Sequence, residues 1–528
     1  MKRTVKTMSV LLAFLVLAVG IFTGCGTGKN SDAAEAPSSM AVSTGEHAAA
    51  GTGGGAELEE ATLNFYYPST PQRDQKAVFD ELNKMTKSKF NCTLDYKPTD
   101  WAQWPTKYPI LLSSGEKVDL IFTSGSNGFF QEVQKNSFLP LNELLEKYGK
   151  DISASMQDGY LDATKINGNI YAIPANKDMG CGWGAYFNKE MADKIGVDTS
   201  NIKYLGDLEP LLAKAKDGLP GVTPFFIGAD SDPSLLYAST KECEDIGFRN
   251  HTKIIAMDDY IAYSYDTGKV APFYDIPEYI NQCKLMRSWF QKGYINKDSI
   301  TTQGTAQDAI KNKKAFMILG SVMPGQKESY EQTYGMKLYG AELMPGIKET
   351  SSLTGALTAL PSHCSNPERA MMVLNLAFGD KEFINTFAFG VKDRHYVMKS
   401  DNVISLPQGA GSAEEIGYNP IVYWEAGDNF KLYTWDNENP DRWNQIKDFN
   451  TKLIKSQLLG FSLNIENIKT EVAAHKNVLS EFNKLLTVGA ADTDEVIARM
   501  KKKDKAAGID KICSEIETQV QAWKASQK

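Results

Sequence analysis

Two rhythms of hydrophobic and polar positions run along this chain. Short apolar runs end in Gly, Ser, Asn or Asp. Between them lie longer stretches with apolar residues three and four apart. Ala61–Pro68, ATLNFYYP, is a β-prone run that ends in the polar loop STPQRDQ. Ala77, Val78, Leu82 and Met85 then fall on one helical face. KVDLIFTSGSNGFF (Lys117–Phe130) predicts a strand running into a polar turn, and LPLNELLEKYG a helix closed by Gly149. INGNIYAIP, VTPFFIGAD and KKAFMILGSVMPG predict further strands. CKLMRSWFQKGYIN predicts a helix stopped at Gly293, and Asn366 with Pro367 a helix start. Strands alternating with helices predict a parallel α/β sheet. Ligands of such sheets bind at the loops leaving strand C-termini. That rule selects Ser69–Gln72, Thr123–Asn127 and Ala175–Gly184.

From about Phe449 the pattern becomes mostly helical. Ile512, Ile516, Val520 and Trp523 give the last helix one apolar stripe. The run KKKDK, Lys501–Lys505, reads as the solvated end of the helix before it. No repeat is evident, and no second linker divides the folded part. Two lobes that share the chain, with more than one crossover, fit this pattern.

The N-terminus has a different character. Lys2, Arg3 and Lys6 precede the apolar run Met8–Phe22, which ends in FTGC. The run is shorter than the roughly 20 apolar residues a membrane span needs, so it reads as a signal segment. Small residues before Cys25 resemble a lipoprotein cleavage site, with Cys25 becoming the lipidated first residue. Gly26–Glu57 is small and polar and cannot build a core; it predicts a flexible tether with a reach of about 30 Å.

At 528 residues the chain is long enough for several lobes. Its net charge of −8 argues against a nucleic-acid partner, which needs a basic face. Apart from Cys25, six dispersed cysteines form no C-x-x-C pair, so neither a metal site nor a redox motif is expected. Isolated buried thiols are the expectation for a chain with a large core. The five histidines form no H-E-x-x-H motif, and no G-x-S-x-G elbow occurs. No local motif selects a pair of carboxylates for glycoside hydrolysis. No cofactor is expected.

Several phrases in order carry a family resemblance: LLSSGEKVDLIF, NSFLPLNELLEKYG, INGNIYAIPANKD followed by WGAYFNKEMADKIGVD, NKKAFMILG, and ALPSHCSNPERAMMVLNLAF. They resemble the maltose-binding-protein-like family of extracellular solute-binding proteins that serve ABC importers. The final portion, from VISLPQG to VLSEF, resembles a Gram-positive lipoprotein subfamily whose C-terminal region has no assigned role. The resemblance implies an α/β, two-lobe periplasmic-binding-protein-like fold of type II, with a hinge, an interlobe cleft and a helical C-terminal region. It implies a signal peptide over 1–24 and a lipidated tether over 25–57. The N-terminal lobe would comprise 58–173 and 351–400, and the C-terminal lobe 174–350. Residues 401–528 would complete the lobes. By analogy the chain crosses near Pro174–Trp183, returns near Pro345–Leu353 and crosses again later. The implied protein is a monomer, lipid-anchored on the outer face of the cell membrane, whose partners are a small solute and the permease subunits.

A carbohydrate ligand would need aromatic faces for its C–H surfaces and rigid polar side chains for its hydroxyls. The strand-end loops and aromatic clusters offer Gln72, Arg73, Ser126, Asn127, Asn176, Asp178, Trp183, Phe225, Trp424 and Trp435 as ligand-binding candidates. Trp183 stands between Gly182 and Gly184 in a loop expected at the cleft. Trp101 and Trp104 are expected to pack where a helix begins. An oligosaccharide receptor is the reading these residues favour. A peptide or amino-acid receptor is the alternative, marked by a charged clamp and few cleft tryptophans. A surface glycosidase is another, marked by product release.

Overall fold

The computed structural model describes residues 58–527, apart from 158, 234–235, 237–238, 240–259 and 266. The apolar leader, Cys25, the tether and Cys243 lie outside the described residues.

The strand Ala61–Pro68 is the centre from which the first lobe grows. It pairs in parallel with Cys92–Thr99 along its whole length and with Leu120–Thr123 on its other side. The helix Gln75–Phe90 crosses between the first two strands and buries Val78, Phe79 and Leu82. Phe79 lies flat on Tyr96 with centroids 4.5 Å apart. Two more strands complete the sheet. Leu357–Ala359 is antiparallel to both its neighbours, Leu120–Thr123 and Ala172–Pro174. The expected parallel sheet is therefore mixed. The exception has a topological cause: Leu357–Ala359 enters from the hinge end, where the other strands leave.

The second lobe has a four-stranded sheet in the order Leu338–Met344, Gly182–Asn188, Ala315–Val322, Thr223–Phe225. Its first two pairings are antiparallel and its last is parallel. Trp289, Phe187 and Phe316 are buried in its core.

Three segments cross between the lobes, at about 175–181, 345–353 and 444–457. Ile347–Lys348 and Ile454–Lys455 pair there as a short parallel ladder. Tyr160, Met179, Leu353, Leu453 and Leu459 form a small apolar cluster at the crossing. Asn450, fully buried, accepts a hydrogen bond from Met179 N at 3.0 Å and donates to Lys177 O at 2.8 Å. Its amide ties the third crossing to the first.

Residues beyond the second crossing divide between the lobes. Ile404, Tyr418, Val422, Ala426 and Leu432 join the first-lobe core. The helices Lys469–Thr487, Thr493–Ala507 and Ile509–Ser526 pack instead on second-lobe elements. Those elements are the helix Pro277–Gln291 and the hairpin Ile261–Tyr263 with Val270–Pro272. Ile512, Ile516 and Val520 are buried as one stripe, and Trp523 packs edge-on to Phe461.

The four lysines of the KKKDK run are exposed near the end of their helix, as expected, but Asp504 departs from that reading: it is fully buried, accepting from Tyr274 OH at 2.5 Å and meeting His475 Nδ1 at 2.7 Å. A helix turns a residue of a charged run inward every third or fourth position, and here that position found partners. Among the described residues, Cys92, Cys181, Cys283, Cys364 and Cys513 are unpaired thiols. No helix among them is long and apolar enough to cross a membrane.

Candidate functional site

In the first lobe the loops after Pro68, Thr99 and Thr123 all leave the same end of the sheet, and the hinge strand Ala172–Pro174 ends there too. The second lobe brings the start of Gly182–Asn188 and the end of Ala315–Val322 to its hinge end. Trp183 is paired there with Ser321 on one side and Met344 on the other.

Trp183 is in a strand, not in the expected glycine loop, and is 37% exposed. Its flanking glycines serve close backbone approach. A Cβ on Gly184 would meet Ala341 O at 2.2 Å, and one on Gly182 would meet Met344 O at 2.6 Å. Alternation along the strand puts Trp183 on the same face as the buried Ala185 and Phe187, and its place near the start of the strand, at the edge of that core, leaves it open.

On the first lobe, Trp424 and Trp101 stack with centroids 5.7 Å apart and planes 14° apart. Phe122 supports both rings edge-on at 5.7 and 6.0 Å. Trp101 is 46% exposed and Trp424 half-buried. Trp104 is fully buried, so the expected helix packing holds for it and not for Trp101.

The segment that carries Trp424 is pinned at both ends. Gln72 Oε1 accepts from Asn419 N at 2.9 Å. Asn176 N donates to Gly427 O, and its side-chain amide donates to Asp428 Oδ1 at 3.0 Å and Ser155 O at 2.9 Å. Between these pins Ile421, 56% exposed, has φ +54°, a left-handed conformation that strains a β-branched residue. Such strain persists only where surrounding contacts enforce it. Glu425 lies behind Trp424, almost wholly buried, and burial pushes its carboxyl up to about 9. Its Oε2 has no hydrogen-bond partner.

The remaining candidates fall in several places. Phe225 is 0% exposed, packed edge-on to Trp289, and offers a ligand no surface. Asn176 is likewise enclosed, with its amide committed to backbone and Asp428. Both correct the loop rule, which selects by position along the chain and not by exposure. Arg73 is exposed but pairs with Asp74 at 3.5 Å and donates to Glu415 O. Ser126 is exposed and bonded to Ser124 Oγ at 2.9 Å; Asn127 donates its N–H to the same hydroxyl. Asp178 pairs with Lys177 at 3.3 Å on the first crossing. Trp435 is half-buried, edge-on to Phe389 at 5.7 Å.

A cavity of about 670 Å³ opens between the lobes. The helix Gln326–Tyr334 and the turn before it form its second-lobe wall. Tyr423 and Asn437, Glu438, Asn439 and Arg442 form the first-lobe wall. Tyr423 precedes Trp424 in the chain, but Trp101, Trp183, Trp424 and Trp435 do not line this cavity. The cavity's size is within the ordinary range for small-molecule sites, about 300–1,000 Å³. None of its lining residues, on either wall, is among the ten ligand-binding candidates. Helix residues lining a gap between lobes carry no strand-end signal.

A model described as a domain of unknown function (DUF3502) matches residues 457–525. A carbohydrate ABC transporter substrate-binding protein of Streptococcus pneumoniae is 25% identical over 86% of this chain and 90% of its own length. Lipoprotein LipO of Bacillus subtilis is 22% identical over 86% of this chain and 83% of its own. The crystal structure of the N-glycan transport solute binding protein NgtS from Streptococcus pneumoniae superposes with a TM-score of 0.77 at 23% identity. It covers 89% of this chain and 100% of its own. The same protein in complex with Man1GlcNAc and Man5GlcNAc superposes with TM-scores of 0.65 and 0.63. The fold is that of the two-lobe solute-binding proteins, with a helical C-terminal region.

Proposed function

We propose that this chain is the carbohydrate-binding receptor of an ABC importer, capturing an oligosaccharide between its lobes and delivering it to a membrane permease. The observation that carries the proposal is the interlobe cavity, walled by residues of both lobes. A ligand that touches both walls binds the closed arrangement better than the open one, and this difference drives closure. The named function of the Streptococcus pneumoniae relatives supports the carbohydrate assignment.

In this reading Trp183, Trp101 and Trp424 face sugar rings, with Trp435 at the margin. Ser126, Asn127, Asp178 and Arg73 reach hydroxyls at the cleft rim, and Gln72 positions the Trp424 segment. The protein binds and releases its ligand unchanged, as a monomer. Residues 1–24 direct export, lipidated Cys25 holds the chain at the outer face of the membrane, and 25–57 tether it. The lipoprotein relative supports the anchor.

The test is a thermal-shift screen of the purified protein against oligosaccharides, peptides and amino acids. A ligand at about 100 times its Kd adds roughly 2.7 kcal/mol of stability. Stabilisation by an oligosaccharide recovered intact is the expected result. Stabilisation by peptides alone would overturn the carbohydrate assignment, and cleaved sugar would overturn the receptor reading.

A further inference from the structure

We infer that the interlobe cavity selects uncharged oligosaccharides and turns away acidic ones, such as uronate oligomers and sialylated chains; this rests on the carbohydrate reading above. Five ionisable carboxylate or cationic side chains line the cavity: Glu328, Glu331, Lys337, Glu438 and Arg442. Both cations are already held. Lys337 Nζ lies 2.7 Å from Glu331 Oε2, and Arg442 Nη1 lies 2.5 Å from Glu438 Oε1. Carboxylates outnumber cations in this lining.

The Arg442–Glu438 pair is built into the wall, with side chains 22% and 30% exposed, whereas Lys337 is 77% exposed and only its partner Glu331 is enclosed. Glu331 is nearly buried and also accepts from Leu338 N at 3.0 Å and Lys327 Nζ at 3.1 Å, so it cannot swing aside for a guest. Glu438 takes Trp435 N at 3.2 Å on its other oxygen. The guanidinium of Arg442 lies over Trp443 at 4.8 Å, which fixes its plane. An arginine can clasp a carboxylate through two parallel N–H bonds, but here one arm is engaged. An acidic sugar would have to break a partly desolvated pair and would leave a carboxylate without its counterion. It would also approach Glu328, whose nearest cation, Lys327, is 3.7 Å away and shared with Glu331.

Away from the cavity, Lys177 faces Asp178, and Arg73, on the first-lobe rim, shares Asp74 with Arg394. The rest of the cavity lining includes Gln326, Gln332, Asn437, Asn439 and Tyr423. An amide presents donor and acceptor side by side, which matches a hydroxyl that both gives and accepts. This lining suits a neutral, hydroxyl-rich guest.

The experiment is a glycan array probed with the purified full-length protein in detergent, followed by calorimetric titration of hits. Each neutral hit is titrated beside size-matched uronate and sialylated oligosaccharides at pH 7. Neutral ligands should bind at least about tenfold more tightly, roughly 1.4 kcal/mol. The Glu438→Gln variant frees the Arg442 fork, and its neutral-to-acidic ratio should fall severalfold, with the effect shrinking at high salt. Acidic oligosaccharides binding as tightly as neutral ones, or tighter, would overturn the inference and leave the carbohydrate reading intact. An unchanged ratio in Glu438→Gln would overturn the role given to the Arg442–Glu438 pair. Silence from every saccharide would remove the carbohydrate reading itself, and the inference with it.

Discussion

The indole of Trp101 stacks on that of Trp424, 5.7 Å between centroids, joining a loop near the start of the first lobe to a segment near its end. Only the Trp101 side of the stack is broadly open to solvent. Trp101→Ala should therefore strip the ligand-facing ring and leave the core below it. A binding hot spot of this kind contributes about 2 kcal/mol, roughly thirtyfold in Kd. The loss to stability should be about 1 kcal/mol, the worth of one aromatic pair. Calorimetric titration and urea melts separate the two. An affinity unchanged by the substitution would remove Trp101 from the site.

Gly184 faces the carbonyl of Ala341 across the second-lobe sheet, where an added Cβ would lie 2.2 Å from that oxygen and 2.7 Å from Val322 Cγ2. Neither neighbour is a flexible side-chain end. Gly184→Ala should cost several kcal/mol and broaden the unfolding transition, in the range of severe overpacking. Gly206 is the matched control, since a Cβ there meets nothing within 4 Å and its φ is ordinary. Gly206→Ala should be neutral or stabilise by about 0.4–1 kcal/mol. Urea denaturation of both variants decides whether close approach, and not turn geometry, explains the glycines around Trp183.

Much of this fold was legible from periodicity alone. The strands Ala61–Pro68 and Leu120–Thr123, the stop at Gly293 and the terminal apolar stripe follow local rules, and local rules read well from local sequence. What escaped depends on partners far along the chain. Gln72 and Asn176 look like cleft residues until Asn419, Gly427 and Asp428 arrive to occupy them. Trp101 reads as a packing residue because nothing nearby shows that Trp424 will prop it outward. Trp183 was recognisable as an exposed indole, but its glycines suggested a turn when they mark two neighbouring strands pressed close. Asp504 hides in a lysine run, and its partners Tyr274 and His475 lie on other elements.

Glu425 makes stability depend on pH in a direction opposite to the usual paired carboxylate. Burial raises its carboxyl from the ordinary 4.5 to about 9. Between those values the folded chain holds a proton that the unfolded chain has released, so stability falls as pH rises through the window. Glu425→Gln keeps the shape and removes the proton. It should raise Tm relative to the parent at pH 8 and do little at pH 5. At about 1.4 kcal/mol per pH unit the difference between these conditions has an upper bound of about 4 kcal/mol. Thermal melts across this range would show parallel curves if Glu425 were already ionised in the folded protein.

Asp504 anchors the region matched by the domain of unknown function to the second lobe. Its carboxylate is buried between Tyr274, from the second lobe, and His475, from the helix Lys469–Thr487. Arg287 reinforces the same junction by donating to Gly489 O at 3.1 Å and Ala490 O at 3.0 Å. Asp504→Ala removes one member of a buried polar group and breaks its bonds to Tyr274 and His475, a change that costs about 3–5 kcal/mol. The three terminal helices and the second lobe share apolar clusters, so the damage should spread through both and stop short of the first-lobe sheet. Hydrogen exchange can read this map directly. Protection should fall in Pro277–Gln291 and in the terminal helices while Ala61–Pro68 and Leu120–Thr123 keep theirs. Loss confined to the terminal helices would mean that they fold as a separate unit, and that the second lobe stands without them.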